Sequence, residues 1–493
     1  NHAIEEHMID SDFNVTMLPL FKGLLFLGAD VDYEVPDRIK DGYGINENLI
    51  KQAYDDGREV ILTCDNGIAA TEQVRYARSL GFTVIVTDHH DIRYEEIDGR
   101  KTYILPEADA IVNPKQSDCS YPCSFLCGAG VAYKLMQELF KRTGNEGKER
   151  EFLVFAGIAT VGDVVDLKDE NRIFVKEGLK QFKETDNYGL RALTVINGLD
   201  DKEICAYHIG FIIGPCLNAS GRLDTAKRAL KMLLSKDKCE AERLAGDLVS
   251  LNEERKSLTA AAVILAEKIV DENYTDDTVL VIYLPDCHES IAGIVAGRIR
   301  EKYYKPVIVL TKGEDGVKGS ARSIESYNIF EKLCECSHLL TKFGGHPLAA
   351  GMSLKEDNIE ELRKYLNEHS NLTKDDLTEK VWIDVPMPLE YINEDIINEL
   401  SLLEPYGKGN EKPVFADKNL IIVSFMRIGR DGKFAKMELK KNNGMSIFAM
   451  CFNNCDGLNE AFINNKRISC TYYPEINGIL MHLYCCCAIF KVI

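Results

Sequence analysis

Up to about residue 190, short apolar runs alternate with longer stretches in which apolar positions recur every three or four residues. The runs 59–63, 82–87 and 109–112 are rich in Val and Ile, which predicts buried strands. The stretches 68–80 and 129–142 predict helices between them. Such alternation predicts a parallel sheet with crossover helices. From 239 to 270 the rhythm changes. Leu244, Leu248, Leu251, Leu258, Leu265 and Ile269 keep steps of 3, 4 or 7 with charged residues between them. This predicts one long amphipathic helix acting as a spacer. A second α/β unit follows, with strands at 279–283 and 306–310 flanking a helix around 291–303, and it closes on the glycine-rich run Gly344 to Gly351. Beyond about 375, short strands separated by Gly, Asn and Asp turns predict a small β-barrel.

Length and composition fit this plan. A chain of 493 residues is too long for one core. No apolar run approaches the length of a membrane span and no signal peptide is visible, so a soluble cytoplasmic protein is expected. A first residue of Asn1 rather than Met is expected of a fragment or processed product. The 16 cysteines lack metal-knuckle spacing, which fits reduced thiols. The net charge of −19 argues against a protein that coats nucleic acid electrostatically, but not against a narrow basic channel.

The chemistry gathers where two strands end. The run 82–87 leads into Asp88-His89-His90, and the run 59–63 leads into Cys64-Asp65-Asn66-Gly67. In open α/β sheets that edge carries the ligand site. Carboxylate and imidazole delivered together suggest a metal centre, although a single Asp at a strand end is ordinarily a turn residue.

From about residue 7 to 477 the chain resembles the RecJ-type single-stranded-DNA-specific exonucleases of the DHH phosphoesterase superfamily. The resemblance rests on Val35-Pro36-Asp37-Arg38, Asp41-Gly42-Tyr43-Gly44, Cys64-Asp65-Asn66-Gly67 and Thr87-Asp88-His89-His90. It continues through Cys127-Gly128-Ala129-Gly130, Val161-Gly162-Asp163 and Leu217-Asn218-Ala219-Ser220-Gly221-Arg222. It ends with Lys318-Gly319-Ser320-Ala321-Arg322-Ser323, the Gly-Gly-His run and Leu403-Glu404-Pro405-Tyr406-Gly407-Lys408-Gly409-Asn410. It implies an α/β chain with a DHH catalytic domain at 1–190, a helical connector at 191–270 and a DHH-associated domain at 271–360. An OB-type barrel follows at 375–477, then an atypical cysteine-rich tail at 478–493.

The implied activity is 5′→3′ hydrolysis of single-stranded DNA in repair and recombination, with two Mn²⁺ or Mg²⁺ ions. Two divalent ions about 4 Å apart would activate water and relieve phosphate charge. Hard cations want carboxylate oxygen, and an imidazole favours Mn²⁺. By resemblance, Asp65 is shared between the metals, His89 and Asp163 ligate one of them, and Asp10 and Asp12 complete the set. His90 faces the scissile phosphate and Asp88 orients the imidazoles. Arg38, Arg222, Ser320, Arg322 and His346 would contact phosphates, while His288 is read as structural. In the barrel, Phe425, Phe434 and Lys436 are candidate strand contacts, although barrel aromatics are more often core. The Leu403–Asn410 block is expected to fix the barrel against the catalytic core. Single-stranded DNA is the expected partner, with a helicase and a single-strand-binding protein as candidates beside it.

The first family motif, Asp-x-Asp-x-Asp-Gly, is altered. Asp10 and Asp12 remain, but Met8 replaces the first carboxylate and Phe13 the glycine. Two alternatives stay open: a DHH phosphodiesterase for short oligonucleotides or cyclic dinucleotides, and a catalytically impaired single-strand-binding scaffold.

Overall fold

The computed structural model describes residues 13–36, 44–97, 100–223, 227–313, 316–429, 432, 434–452, 455–477 and 482–492. It divides into two compact units, one ending at Glu379 and the other beginning at Lys380. Among the described residues, no helix is long and apolar enough to cross a membrane.

In the first unit, helices Phe13–Thr16, Leu18–Phe26 and Glu47–Asp55 precede β1 (Val60–Leu62), β2 (Thr83–Thr87), a hairpin of β3 (Tyr94–Ile97) and β4 (Arg100–Tyr103), and β5 (Ala110–Val112). Strands β1, β2 and β5 pair in parallel in that order. The crossover helix Thr71–Ser79 buries Val74 and Ala77 against Phe82, Val84 and Val86. Alternating Val residues of β2 thus face this helix, as its period-2 pattern requires. Helices Gly128–Arg142 and Leu153–Gly162 contribute Met136, Phe140, Phe155 and Ile158 to the largest core.

The spacer is a single helix of 36 residues, Lys238–Asn273. Its N-terminal half buries Leu244, Ala245 and Leu248 in that largest core. Its C-terminal half buries Ala266 and Val270 in a different core. The expected continuous leucine seam is not observed. Leu244 is 4 % exposed, but Leu258 is 41 % and Leu265 48 % exposed. These residues step by seven, and a straight helix drifts by about 20° per heptad, so the seam rotates into solvent.

The second sheet has the order β6 (Leu280–Tyr283), β7 (Val307–Gly313), β8 (Gly316–Arg322), β10 (Ala349–Leu354), β9 (Leu340–His346). Helix Glu289–Tyr303 makes the parallel crossover from β6 to β7, and the remaining pairs are antiparallel.

The second unit is a closed barrel of β11 (Phe415–Ile428), β12 (Phe434–Lys440), β13 (Ser446–Cys451), β15 (His482–Val492) and β14 (Arg467–Asn477) in that order. Helix Asp456–Ile463 lies between β13 and β14 in sequence. Five strands with this crossing form an OB-type barrel. The barrel extends beyond residue 477, because β15 pairs parallel with β13 and antiparallel with β14. The segment read as an atypical tail therefore supplies the strand that closes it. The Leu403–Asn410 block fastens parts of this unit to one another. Tyr406 Oη donates to Leu400 O at 2.8 Å and meets Tyr473 Oη at 3.0 Å, and Asn410 Nδ2 donates to the carbonyls of Leu403 and Pro405.

Candidate metal centre

Three strand ends meet at one edge of the first sheet. The parallel register runs on beyond them: Asp65 N–H donates to Thr87 O at 3.0 Å and Asp88 N–H to Val112 O at 3.1 Å. Thr87 Oγ1 donates to Thr63 O, and Thr63 Oγ1 to Asn66 O, both at 2.7 Å. These bonds hold the two loops side by side. The chain turns at Asp65 with φ of 61°, a left-handed conformation that Asp tolerates better than most side chains.

Asp88 is 1 % exposed and organises the edge. Its Oδ2 accepts the Ile68 N–H at 2.9 Å. Its Oδ1 accepts the N–H groups of His89 and His90, and meets His90 Nδ1 at 2.6 Å. Burial pushes this carboxyl up, but the bond and charge of His90 together with the Ile68 and His90 N–H groups outweigh it and hold the pKa below the usual value. An ionised Asp88 can only accept, so Nδ1 carries the proton and donates it to the hydrogen bond, which makes Nε2 the lone-pair end of His90. Asn113 Nδ2 donates to His90 O and ties the loop to the end of β5.

His89 Nε2 lies 3.0 Å from Asp65 Oδ1 and 3.5 Å from Asp163 Oδ2. Asp163 caps the C-terminus of helix Leu153–Gly162. The 3.0 Å contact has the length of an ion pair but not the angles of a hydrogen bond. Asp65 Oδ1 and His89 Nε2 are buried with no hydrogen-bond partner. Burial disfavours the charged imidazole, yet the carboxylates of Asp65 and Asp163 outweigh it and raise the His89 pKa. Ligand atoms of Asp65, His89 and His90 all lie within 4.8 Å of one another. Converging buried carboxylate oxygen and imidazole nitrogen fit a hard divalent cation. This geometry also brings His90 into ligand range, which the sequence reading assigned to phosphate.

One residue that sequence reasoning passed over shapes the site. Gly128 begins the helix Gly128–Arg142 directly against Asp65, and a Cβ there would lie 2.3 Å from Asp65 Oδ1. The Cys-Gly-Ala-Gly block was the available signal, but nothing in it says which carboxylate the glycine admits.

Of the other expected residues outside the barrel, the described ones lie on the second sheet and its crossover helix. Ser320 and Arg322 share one face of β8, against Gly293 of the neighbouring helix. Burial, and after it the charge of Arg300, lower the Arg322 pKa to about 10. His346 ends β9 and is exposed, so its glycine run is a β-hairpin rather than an open loop. His288 caps the helix Glu289–Tyr303 by accepting the Ser290 N–H. Asp10, Asp12, Arg38 and the Arg222 side chain lie outside the described residues.

In the barrel, Phe425 packs against the core and stacks on Phe462, which removes it as a strand contact. Phe434, Phe448 and Phe452 are instead exposed. Phe434 and Phe452 meet edge-to-face at 5.8 Å, and the Lys436 ammonium lies 5.1 Å from the Phe448 ring centre. Sequence reasoning missed Phe448 and Phe452. They lie on and just beyond β13, next to β12, on the part of such barrels that binds oligonucleotides.

Residues 6–160 match the model of the DHH family N-terminal domain, 276–370 that of the DHHA1 domain, and 383–479 that of the RecJ OB domain. The chain is 36 % identical over 472 residues to the single-stranded-DNA-specific exonuclease RecJ of Bacillus subtilis (strain 168), covering 95 % of this chain and 58 % of that protein. It is 36 % identical over 410 residues to the RecJ exonuclease of Dickeya dadantii (strain 3937), covering 79 % and 70 %. The crystal structure of RecJ in complex with Mn²⁺ from Thermus thermophilus superposes with a TM-score of 0.81 at 27 % identity, covering 98 % of this chain and 67 % of that one. The chain thus spans between about three fifths and seven tenths of the length of these relatives.

Proposed function

We infer, because the chain belongs to the RecJ family, that it is a metal-dependent exonuclease hydrolysing single-stranded DNA from the 5′ end. The observation that carries the reading is the convergence of Asp65, His89 and Asp163 on one buried point, with Asp88 fixing His90 beside them. Asp65, His89 and Asp163 hold divalent cations, and Asp10 and Asp12 complete a two-ion site for Mn²⁺ or Mg²⁺. Such ions supply an activated water and relieve the charge of the non-bridging phosphate oxygens.

The chain's own residues set the geometry. Asp88 accepts the Nδ1–H of His90 and so presents the Nε2 lone pair beside the scissile phosphate, where it would serve as a proton acceptor or metal ligand. Ser320 and Arg322, with Arg38, Arg222 and His346, bind phosphates through hydroxyl, guanidinium and imidazole donors. The exposed Phe434, Phe448 and Phe452, with Lys436, give the barrel a surface for bases and backbone. The setting is DNA repair and recombination in the cytoplasm, beside a helicase and a single-strand-binding protein. Met8 and Phe13 in the altered first motif favour reduced turnover rather than its loss, since Asp10 and Asp12 remain.

The test is digestion of single strands labelled at either end, with and without Mn²⁺. Release of the 5′ label first, dependent on metal and absent with blunt duplex, supports the reading. Release from the 3′ end, or binding without hydrolysis at any metal concentration, overturns it.

A further inference from the structure

The β3–β4 hairpin emerges from the metal centre itself, because Tyr94 follows His90 by four residues. Four residues reach at most about 14 Å. Tyr94 and Tyr103 are directly paired across the hairpin, and their rings meet edge-to-face at 6.0 Å. Both remain exposed, at 48 % and 42 %. The Lys101 ammonium, on the same face, lies 4.1 Å from the centre of the Tyr94 ring. The base of the hairpin is closed by Ile104 N–H donating to Arg93 O at 2.7 Å. Arg93 Nε at that point is buried and has no hydrogen-bond partner.

Two exposed aromatic rings with a cation on one face of the hairpin match the chemistry of a single nucleic-acid strand. Bases stack on exposed rings, and phosphates take N–H donors. The cation also fits that occupant better than an apolar partner, whose approach would desolvate Lys101. We propose that this hairpin is a base-stacking shelf for single-stranded DNA, with Tyr94 and Tyr103 holding a nucleotide close to the scissile bond. The proposal rests on the exonuclease reading above.

The test uses the full chain and single strands of one length, either intact or lacking one base at successive positions from the 5′ end. Tyr94→Ala with Tyr103→Ala is expected to raise KM for intact strands roughly 5- to 100-fold, the range of losing one stacked base. Tyr94→Phe with Tyr103→Phe should restore it, since the rings are kept. An abasic site at one position should raise KM for the unsubstituted protein and add little for the double-alanine variant. Rings that only brace the hairpin would show no such position dependence. If the unsubstituted protein cleaves single strands and the double-alanine variant keeps its KM, or if every abasic position costs both proteins equally, the shelf is overturned while the exonuclease reading stands. If the unsubstituted protein cleaves nothing, that reading fails first.

Discussion

Gly128 and Asp65 stand so close that a single methyl group between them would overlap the carboxylate, at 2.3 Å from Oδ1 and 2.4 Å from Cγ. The neighbours of that methyl are not the far end of a flexible chain but the atoms that face His89 Nε2. Gly128→Ala is therefore expected to move Asp65 off the convergence point while leaving the helix intact. Second-sphere displacement of a ligand costs about 10- to 100-fold in metal affinity or activity. Mn²⁺ titration by calorimetry, with circular dichroism as the control for folding, would measure it. Unchanged Mn²⁺ affinity would show that Asp65 is not a ligand.

Asp88→Asn replaces one of two buried acceptor oxygens by an NH2 donor, so that the Ile68 N–H or the cluster of His89 and His90 donors faces a donor, and it removes the charge beside His90. It should lower stability by about 3 kcal/mol at pH 7, the cost of stranding buried groups around a lost charge. The effect has a direction in pH. The folded carboxyl titrates below its ordinary 3.8, so its stabilisation is complete above that value and disappears as the pH falls through the depressed one. Urea midpoints of variant and unsubstituted protein should thus converge in acid. A gap that does not shrink at all as the pH falls below 3.8 would contradict this.

Gly345 has φ of 151°, and a Cβ there would lie 2.4 Å from Ala349 O across the β9–β10 hairpin. Backbone oxygen cannot swing aside. Gly345→Ala should open the hairpin that presents His346, with a strain cost of about 1–3 kcal/mol. A thermal unfolding midpoint equal to that of the unsubstituted protein would refute it.

Replacing Phe434, Phe448 and Phe452 together by Ala should weaken binding of long single strands at least ~10-fold, from loss of stacking worth about 1–3 kcal/mol per base. Cleavage of strands only a few nucleotides long should change little. Fluorescence anisotropy at fixed salt and without divalent metal reads the affinity, since phosphate contacts shift strongly with salt. Phe425→Ala, by contrast, should act on stability, because Phe425 packs into the barrel core.

The strand ends at Asp65 and Asp88 were legible because β2 alternates and ends abruptly in polar residues, a local signal. The roles of Phe425 and Phe434 were not. In a barrel, the side a residue faces depends on register, and register is set by partners far away in sequence. Phe425 pairs with Met437, which is 1 % exposed, and so shares the inward face. Phe434 pairs with Ile428 and faces out. The closing strand His482–Val492 was missed for a similar reason: its main signal is pairing with β13 and β14. Gly128 escaped because no local pattern connects it to the distant Asp65 that it overlaps.

The helix Lys238–Asn273 is about 54 Å long and is gripped by a different core near each end. It transmits rotation as well as distance. One residue inserted in the exposed stretch 256–258 would turn everything beyond by about 100°, swinging Ala266 and Val270 out of their core. Four residues would leave a phase error of only about 40°, at the cost of about 6 Å of extra length. The two α/β halves are therefore indexed to each other like gears on one shaft, and the count of residues between the two buried stretches sets their relative angle.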